Sequence, residues 1–486
     1  VRVNGNQLRV RVIAEGGNLG LTQRGRIEFA RAGGKLNTDA IDNSAGVDCS
    51  DHEVNIKILL DRLVAEGVLS TAQRRTLLVE MTGEVATLVL AHNADQNTQL
   101  GLSRAHAATM VSVHARLTTH LEQHHGLDRE LAALPTRQQC REREAAGEGL
   151  TSPELSTLMA HVKLGLTAEV LASDLPDAQV FYDRLPGYFP AALRDRFAAA
   201  IRDHPLRRDI TTTVLVNDMV DHGGMTYAYR LAEELSASAP DVLRAYSVAT
   251  AVFDLPAAWR AIVELGNAVP IAVADTMMLA LRRLLDWASR WLLLNRPQPL
   301  AVDAEINRFR PVVQALAPRV PGWLAGRDAD NVAAAVHQLT TWGVPDELAR
   351  QVSAGLPTFG LLDVIELAEL AGHTTAQVAQ LYFTLSAHLD IDRMLNLVSE
   401  LDRGDRWHAL ARLALRDDLY AALRKITRDA LHTGGAGVDS LTAVAQWEQE
   451  NSSRLSRARA ILVDISDAGS LDLATLSVAV RALARL

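Results

Sequence analysis

Two glycine-bearing polar runs near the start of the chain hold residue types from which a ligand site can be built. The first is Ala14-Glu15-Gly16-Gly17-Asn18-Leu19-Gly20, and the second is Asn43-Ser44-Ala45-Gly46-Val47-Asp48-Cys49-Ser50. Glycine reaches backbone angles closed to other residues, so Gly16 and Gly17 would let the main chain pass close to a flat ring. Asn18 offers a donor and an acceptor to an amide group. Ser50 with Glu53 has the spacing of a capping box. A hydroxyl at a helix start, beside free N–H groups, favours an anion such as a carboxylate. A plainer reading stands beside this one. Glycine-rich turns and serine caps occur widely without any ligand, and spacing alone leaves both readings open.

Other polar groups point less clearly to chemistry. Asp51-His52-Glu53 invites a metal, but adjacent residues on one helical turn do not converge on an ion as residues three or four apart do. Cys49 reads as a small core residue rather than a reactive thiol. His124-His125 reads as helix surface or a helix end. The segment from His204 to Arg208, with Asn217 and Asp218, suggests a buried polar network rather than a catalytic group. No G-x-G-x-x-G run follows a strand-like segment, and neither Lys35 nor Lys57 lies in a glycine-rich context suited to polarising a carbonyl.

These residues need elements to place them. Val10, Val12 and Ile13 form a short β-like run that stops at Glu15-Gly16-Gly17. Thr22 to Arg31 reads as a short helix with Ile27 and Phe29 partly buried, and further turns fall at Gly33-Gly34 and at 42–46. Strand, turn, helix, turn, strand is the grammar of an α/β unit. After Ser50 the pattern is helical: Val54 and Ile58 share a face widened by Leu59 and Leu63. Gly67 ends that helix, and Ser70 with Gln73 caps the next. Residues 71–90 and about 101–130 read as helices, and 135–153 as a boundary. A strong amphipathic pattern runs from Asp275 to Leu294. Later breaks fall near Gly322, Gly343, Gly355, Gly372 and Gly434-Gly435, and a last helix covers about 473–485, after Gly469. The expected fold is therefore mainly α-helical, with an N-terminal remnant of an α/β domain followed by helical C-terminal domains. Its expected divisions are 1–50, 51–150, 151–300 and 301–486.

Of 486 residues, 48% are hydrophobic and 22% charged, the balance of a folded globular chain. The net charge of −9, from 49 basic and 58 acidic residues, opposes a general attraction to nucleic acid. No apolar run approaches the roughly 20 residues that span a bilayer, so no membrane is expected as a partner. Two cysteines in no paired spacing fit a reducing cytoplasm. The chain opens on Val1 with no signal-peptide pattern, and this reads as a cut.

Residues 12–60, VIAEGGNLGLTQRGRIEFARAGGKLNTDAIDNSAGVDCSDHEVNIKILL, resemble the last part of the catalytic region of the large bacterial NAD-dependent glutamate dehydrogenases. Residues 204–234, HPLRRDITTTVLVNDMVDHGGMTYAYRLAEE, are similar to a second stretch of that family, and the resemblance covers nearly the whole chain. It implies oxidative deamination of L-glutamate to 2-oxoglutarate and ammonia, with hydride passing to NAD as cofactor. It makes the α/β remnant part of a nucleotide-binding, Rossmann-like domain. It places Glu15, Gly16, Gly17 and Asn18 beside the nicotinamide. Asn43, Gly46, Val47 and Ser50 match N-x-x-G-V-x-x-S, whose serine helps hold the substrate's side-chain carboxylate. The family's catalytic lysine, aspartate and main dinucleotide loop have no counterpart in these residues. The resemblance thus implies a wall of an active site, inactive alone, whose partners are the missing N-terminal part of the same chain and further copies in a homo-oligomer. A helical interaction or scaffold protein without activity is the alternative. An upstream reading frame encoding a substrate-site lysine and a dinucleotide fingerprint would separate the two.

Overall fold

The computed structural model describes residues 3–401, 406–434, 439–467 and 472–486. The chain falls into two compact units. One comprises Val1–Tyr246 with Arg296–Leu300, and the other Ser247–Asn295 with Ala301–Leu486.

In the first unit, α1 (Gln23–Arg31) starts where Thr22 accepts a hydrogen bond from the Gly25 N–H at 3.1 Å. It buries Phe29 and half-buries Ile27, as the pattern predicts. Next comes α2 (Ser44–Ala65), whose residues Ile56, Leu59, Leu60 and Leu63 follow helical spacing and are at most 3% exposed. They share a core with Leu185, Phe189, Leu193 and Ile201. Gly67 stops the helix at φ +73°, a conformation that favours glycine, and the Val68 and Leu69 N–H groups close back on Leu63 O. Ser70 and Gln73 form the expected capping box for α3 (Thr71–Glu80). The unit continues with α4 (Thr82–Ala105), α5 (Val111–His124), α6 (Ser152–Leu171) and α7 (Arg207–Asp218). A turn of π-helix, Met219–Gly223, follows α7 directly.

The α/β remnant is not what forms. Among the described residues there is no β-strand, hence no Rossmann-like sheet. A single parallel bridge joins Val12 and Lys35. Its two hydrogen bonds run from Ile13 N to Lys35 O at 3.0 Å and from Lys35 N to Arg11 O at 2.9 Å. Parallel strands are stable when neighbours and covering layers bury both faces. Here Val10 and Val12 are 54% and 65% exposed, and the glycine turns cut each extended run short. Charge, not a ladder, holds this segment, as the site below makes clear.

A second correction concerns Ser50. The helix does not begin there; it begins six residues earlier at Ser44, with Asn43 as N-cap residue. Nothing from 44 to 50 forbids a helix, since one glycine costs only about 1 kcal/mol. Ser50 and Glu53 therefore lie inside α2 and form no capping box.

The second unit is also helical. Its α8 (Ile271–Asn295) buries Met277, Leu281, Leu285 and Trp291 along one face, the amphipathic pattern legible in the sequence. It is followed in this unit by α9 (Leu361–Ala371), α10 (Thr375–His388), α11 (Arg406–Gly434), α12 (Ser440–Glu450) and α13 (Leu473–Ala484). The long α11 packs against each of the other four from α9 to α13. Gly343 and Gly372 sit at φ +89° and +68°, where breaks are expected. Gly435 and Gly469 lie outside the described residues. Buried Asp363 on α9 accepts from Trp291 Nε1 at 2.8 Å and from the Tyr382 hydroxyl at 3.2 Å, so one carboxylate joins α8, α9 and α10. Among the described residues, no helix is long and apolar enough to cross a membrane.

Candidate functional site

The Glu15 to Leu19 loop is built around a buried ion pair. Glu15 is 5% exposed and Arg26, on α1, is equally buried. Glu15 Oε2 lies 2.5 Å from Arg26 Nε, and Oε1 accepts from Arg26 at 3.0 Å and from the Leu21 N–H at 3.0 Å. Asp39 also approaches Arg26 at 3.1 Å. Burial alone would lower the Arg26 pKa, but the hydrogen bond and charge of Glu15, with Asp39, raise it. Asp42 accepts from the Glu15 N–H at 3.0 Å, and Asp39 from the Leu19 N–H at 2.9 Å. The Glu15 carboxylate is thus fully committed to the loop's own frame.

That frame presents Gly16, Gly17 and Asn18 to solvent. A Cβ at either glycine would meet nothing within 4 Å, so a ligand could approach this backbone closely. Neither glycine adopts positive φ; Leu19 does, at +59°, with its side chain 83% exposed. An apolar, non-glycine residue in the left-handed region carries about 1–2 kcal/mol of strain.

Asn43 Nδ2 donates to Asn18 Oδ1 at 3.4 Å, so the two runs meet. The close approach of the Asn43 side chain to position 46 explains its glycine: a Cβ there would sit 2.6 Å from Asn43 Oδ1. Val47, Ser50 and Val54 lie on one exposed face of α2, the valines 59% and 52% exposed. Cys49 is exposed as well, not the core residue its size suggests, although it stands on the helical stripe that carries Ile56 and Leu60 further along α2. Cys140 is buried, and burial raises its pKa.

The opposite face of α2 carries groups that pattern-reading undervalued. Asp48 and His52, four residues apart, point toward His92 on α4. Asp48 Oδ2 is 2.7 Å from His92 Nδ1, and Asp48 Oδ1 is 3.7 Å from His52 Nε2. The Asp48 hydrogen bond raises the His92 pKa, while burial lowers that of His52. His52 is fully buried and stacks on Tyr188 at 4.1 Å between ring centroids. The Tyr188 hydroxyl accepts from Asn55 at 2.9 Å. Lys163 on α6 pairs with Asp221 of the π-helical turn at 2.8 Å, and Asp95 on α4 has its pKa raised by burial. His222 is pulled down by burial but raised further by Asp218, 3.1 Å away, and by Asp95. The available signal was the i, i+4 spacing of Asp48 and His52; apart from Asn55, the other groups, from His92 to His222, lie far along the sequence.

Two further histidine expectations resolve differently. His204 is fully buried in a polar network, with Nε2 3.1 Å from Asn55 O and Nδ1 accepting from the Leu206 N–H. His124 ends α5 and His125 follows it. His125, however, has carboxylate company that sequence neighbours did not reveal, with Nε2 3.1 Å from Glu169.

Comparison with known proteins bears directly on this site. Residues 1–103 match the family description "Bacterial NAD-glutamate dehydrogenase, catalytic domain", and 147–485 match "Glutamate dehydrogenase, C-terminal". The chain is 53% identical over all its 486 residues to the NAD-specific glutamate dehydrogenase of Mycobacterium tuberculosis. It is 39% identical over 483 residues, 99% of the chain, to that of Pseudomonas aeruginosa. Against the Halomonas elongata protein of the same name the identity is 36% over the whole chain. In each case the chain spans 30% of the relative's length. It belongs to the bacterial NAD-specific glutamate dehydrogenase family and corresponds to a C-terminal region of such proteins.

Proposed function

We propose that, in the whole protein, the joined runs Glu15-Gly16-Gly17-Asn18 and Asn43 to Ser50 form one wall of a site that deaminates L-glutamate oxidatively. The products are 2-oxoglutarate and ammonia, and hydride passes to NAD. The Asn18–Asn43 contact carries this reading, because it unites two separately recognised runs on one exposed surface. In this arrangement Gly16 and Gly17 admit the nicotinamide to the backbone and Asn18 offers its amide to the carboxamide. Gly46 gives Asn43 the room to hold Asn18, Val47 borders the substrate, and the Ser50 hydroxyl receives its distal carboxylate. The strained Leu19 supports the reading, since strain of this kind gathers at ligand sites. Two unpaired cysteines suit work in the cytoplasm.

The placement of Ser50 inside a helix sharpens the test. Ser50→Ala removes no cap and replaces serine by a better helix former, so stability should hold or rise by a few tenths of a kcal/mol. Steady-state kinetics on the whole enzyme should then show a raised KM for glutamate with little change for NAD. Asn18→Ala should lower kcat/KM by about 5- to 150-fold, the equivalent of roughly 1–3 kcal/mol, without loss of fold. Parent-like kinetics in both variants would make this surface a structural turn.

A further inference from the structure

Away from the exposed Val47–Ser50–Val54 face, the geometry points to a binding site for a divalent transition-metal cation of the zinc class, held by Asp48, His52 and His92. This inference does not rest on the proposed glutamate site. Asp48 and His52 stand one turn apart on α2, the i, i+4 relation by which a single helix directs two ligands to one ion. The third ligand comes from α4, which packs on α2. One ligand atom from each residue falls within a sphere where all lie within 4.8 Å of one another. Bonds of about 2.0–2.2 Å in a tetrahedral shell set donor atoms roughly 3.4 Å apart. His52 Nε2 lies 3.7 Å from Asp48 Oδ1, close to that spacing, while His92 Nδ1 lies 2.7 Å from the other oxygen, Oδ2. The carboxylate stands between the two rings, and an ion bound through one of its oxygens takes the place of the Asp48–His92 hydrogen bond.

The independent sign is His52 itself. Its ring is fully buried, and neither nitrogen has a hydrogen-bond partner. Burying a polar ring without a partner costs on the order of several kcal/mol unless something pairs with it. Nε2 is the nitrogen nearer Asp48, and stacking on Tyr188 limits the ring's rotation. An entry path exists, because the His92 and Asp48 side chains are 44% and 24% exposed. Imidazole nitrogen with one carboxylate oxygen suits zinc and its neighbours rather than calcium or magnesium, which prefer all-oxygen shells. Three protein ligands leave a fourth position for water.

The test uses the full chain, stripped of metal with a chelator and then titrated with Zn²⁺ by calorimetry and with Co²⁺ by visible absorption. The expected result is one equivalent bound per chain, a Co²⁺ ligand-field spectrum of low coordination number, and a rise in melting temperature with Zn²⁺. Asp48→Asn and His92→Gln keep the side-chain size at partly exposed positions. Each should weaken binding by about 10- to 100-fold or more, a loss at least as large as that seen on disturbing outer-shell partners, and abolish the thermal shift. Circular dichroism of the metal-free variants separates lost binding from lost fold. If either fails to fold, the parent's titration still decides, since no uptake by the parent ends the proposal. Uptake that persists unchanged in both variants also overturns it, by assigning the ion elsewhere, such as His120, His125 and Glu169.

Discussion

Leu19 shows how a single residue can report on a site more directly than its chemistry suggests. Its backbone is held in the left-handed region by the Leu19 N–H to Asp39 bond, while its side chain is left in solvent. Leu19→Gly should relieve the strain and stabilise the protein by about 1 kcal/mol, read as a higher midpoint in urea. If Leu19 also covers bound cofactor, kcat/KM should fall in the same variant, and a stabilised variant of parent activity would leave the strain without a function. None of this is visible in the sequence, where Gly16 and Gly17 look like the conformationally special positions. Glu15 was similarly ambiguous. A glutamate before two glycines reads as a ligand contact, and only the fold reveals Arg26, eleven residues on, as its buried partner. Breaking that pair with Glu15→Gln should cost about 3 kcal/mol, the low end for a buried pair because Asp39 still faces Arg26. Chemical denaturation would measure it, and a cost near zero would show the loop to be held by other means.

At the scale of elements, signals carried by a few adjacent residues were legible and those needing distant partners were not. Thr22 with α1, Gly67 and the Ser70–Gln73 box were readable because caps and stops are chosen locally. The start of α2 was misplaced because Ser50 and Glu53 mimic a box, whereas Asn43 starts the helix without a side-chain cap bond. The strand expectation failed because a strand is completed by neighbours, not by its own residues. Helix α5 supplies a pH test. His114 on it is 2% exposed, and burial pushes its pKa down to about 4. Above the unfolded value near 6.5 both states are neutral, so the full stability is present. As pH falls from there toward 4, the unfolded chain takes up a proton that the folded chain refuses, and stability drops by on the order of 3 kcal/mol at most. His114→Gln should flatten that part of the stability–pH curve; an unchanged slope would mean the acid sensitivity lies elsewhere. In the second unit, Asp363→Ala would strand the Trp291 and Tyr382 donors that meet its carboxylate. The expected loss is about 2–5 kcal/mol, measured as a lower melting temperature, and a loss under 1 kcal/mol would show that water replaces the carboxylate.

For the whole molecule, helical content and the long amphipathic face of α8 followed from periodicity, because 3.6-residue spacing survives without knowledge of any partner. The grouping of helices into units did not follow, since it depends on which faces meet. The first unit takes Val1–Tyr246 and then, after the second has begun, Arg296–Leu300. Within that return Leu300 is buried, at 3% exposed, while Pro297, Gln298 and Pro299 stay exposed. A ribosome delivers residues in order at roughly 5–20 per second. The first unit must therefore wait some seconds after Tyr246 emerges for its closing residues, and by then α8 has already been made. An expression boundary drawn at residue 246 would amputate that closing piece, and one drawn at 300 would carry α8 with it. No single cut in the chain parts the two units cleanly.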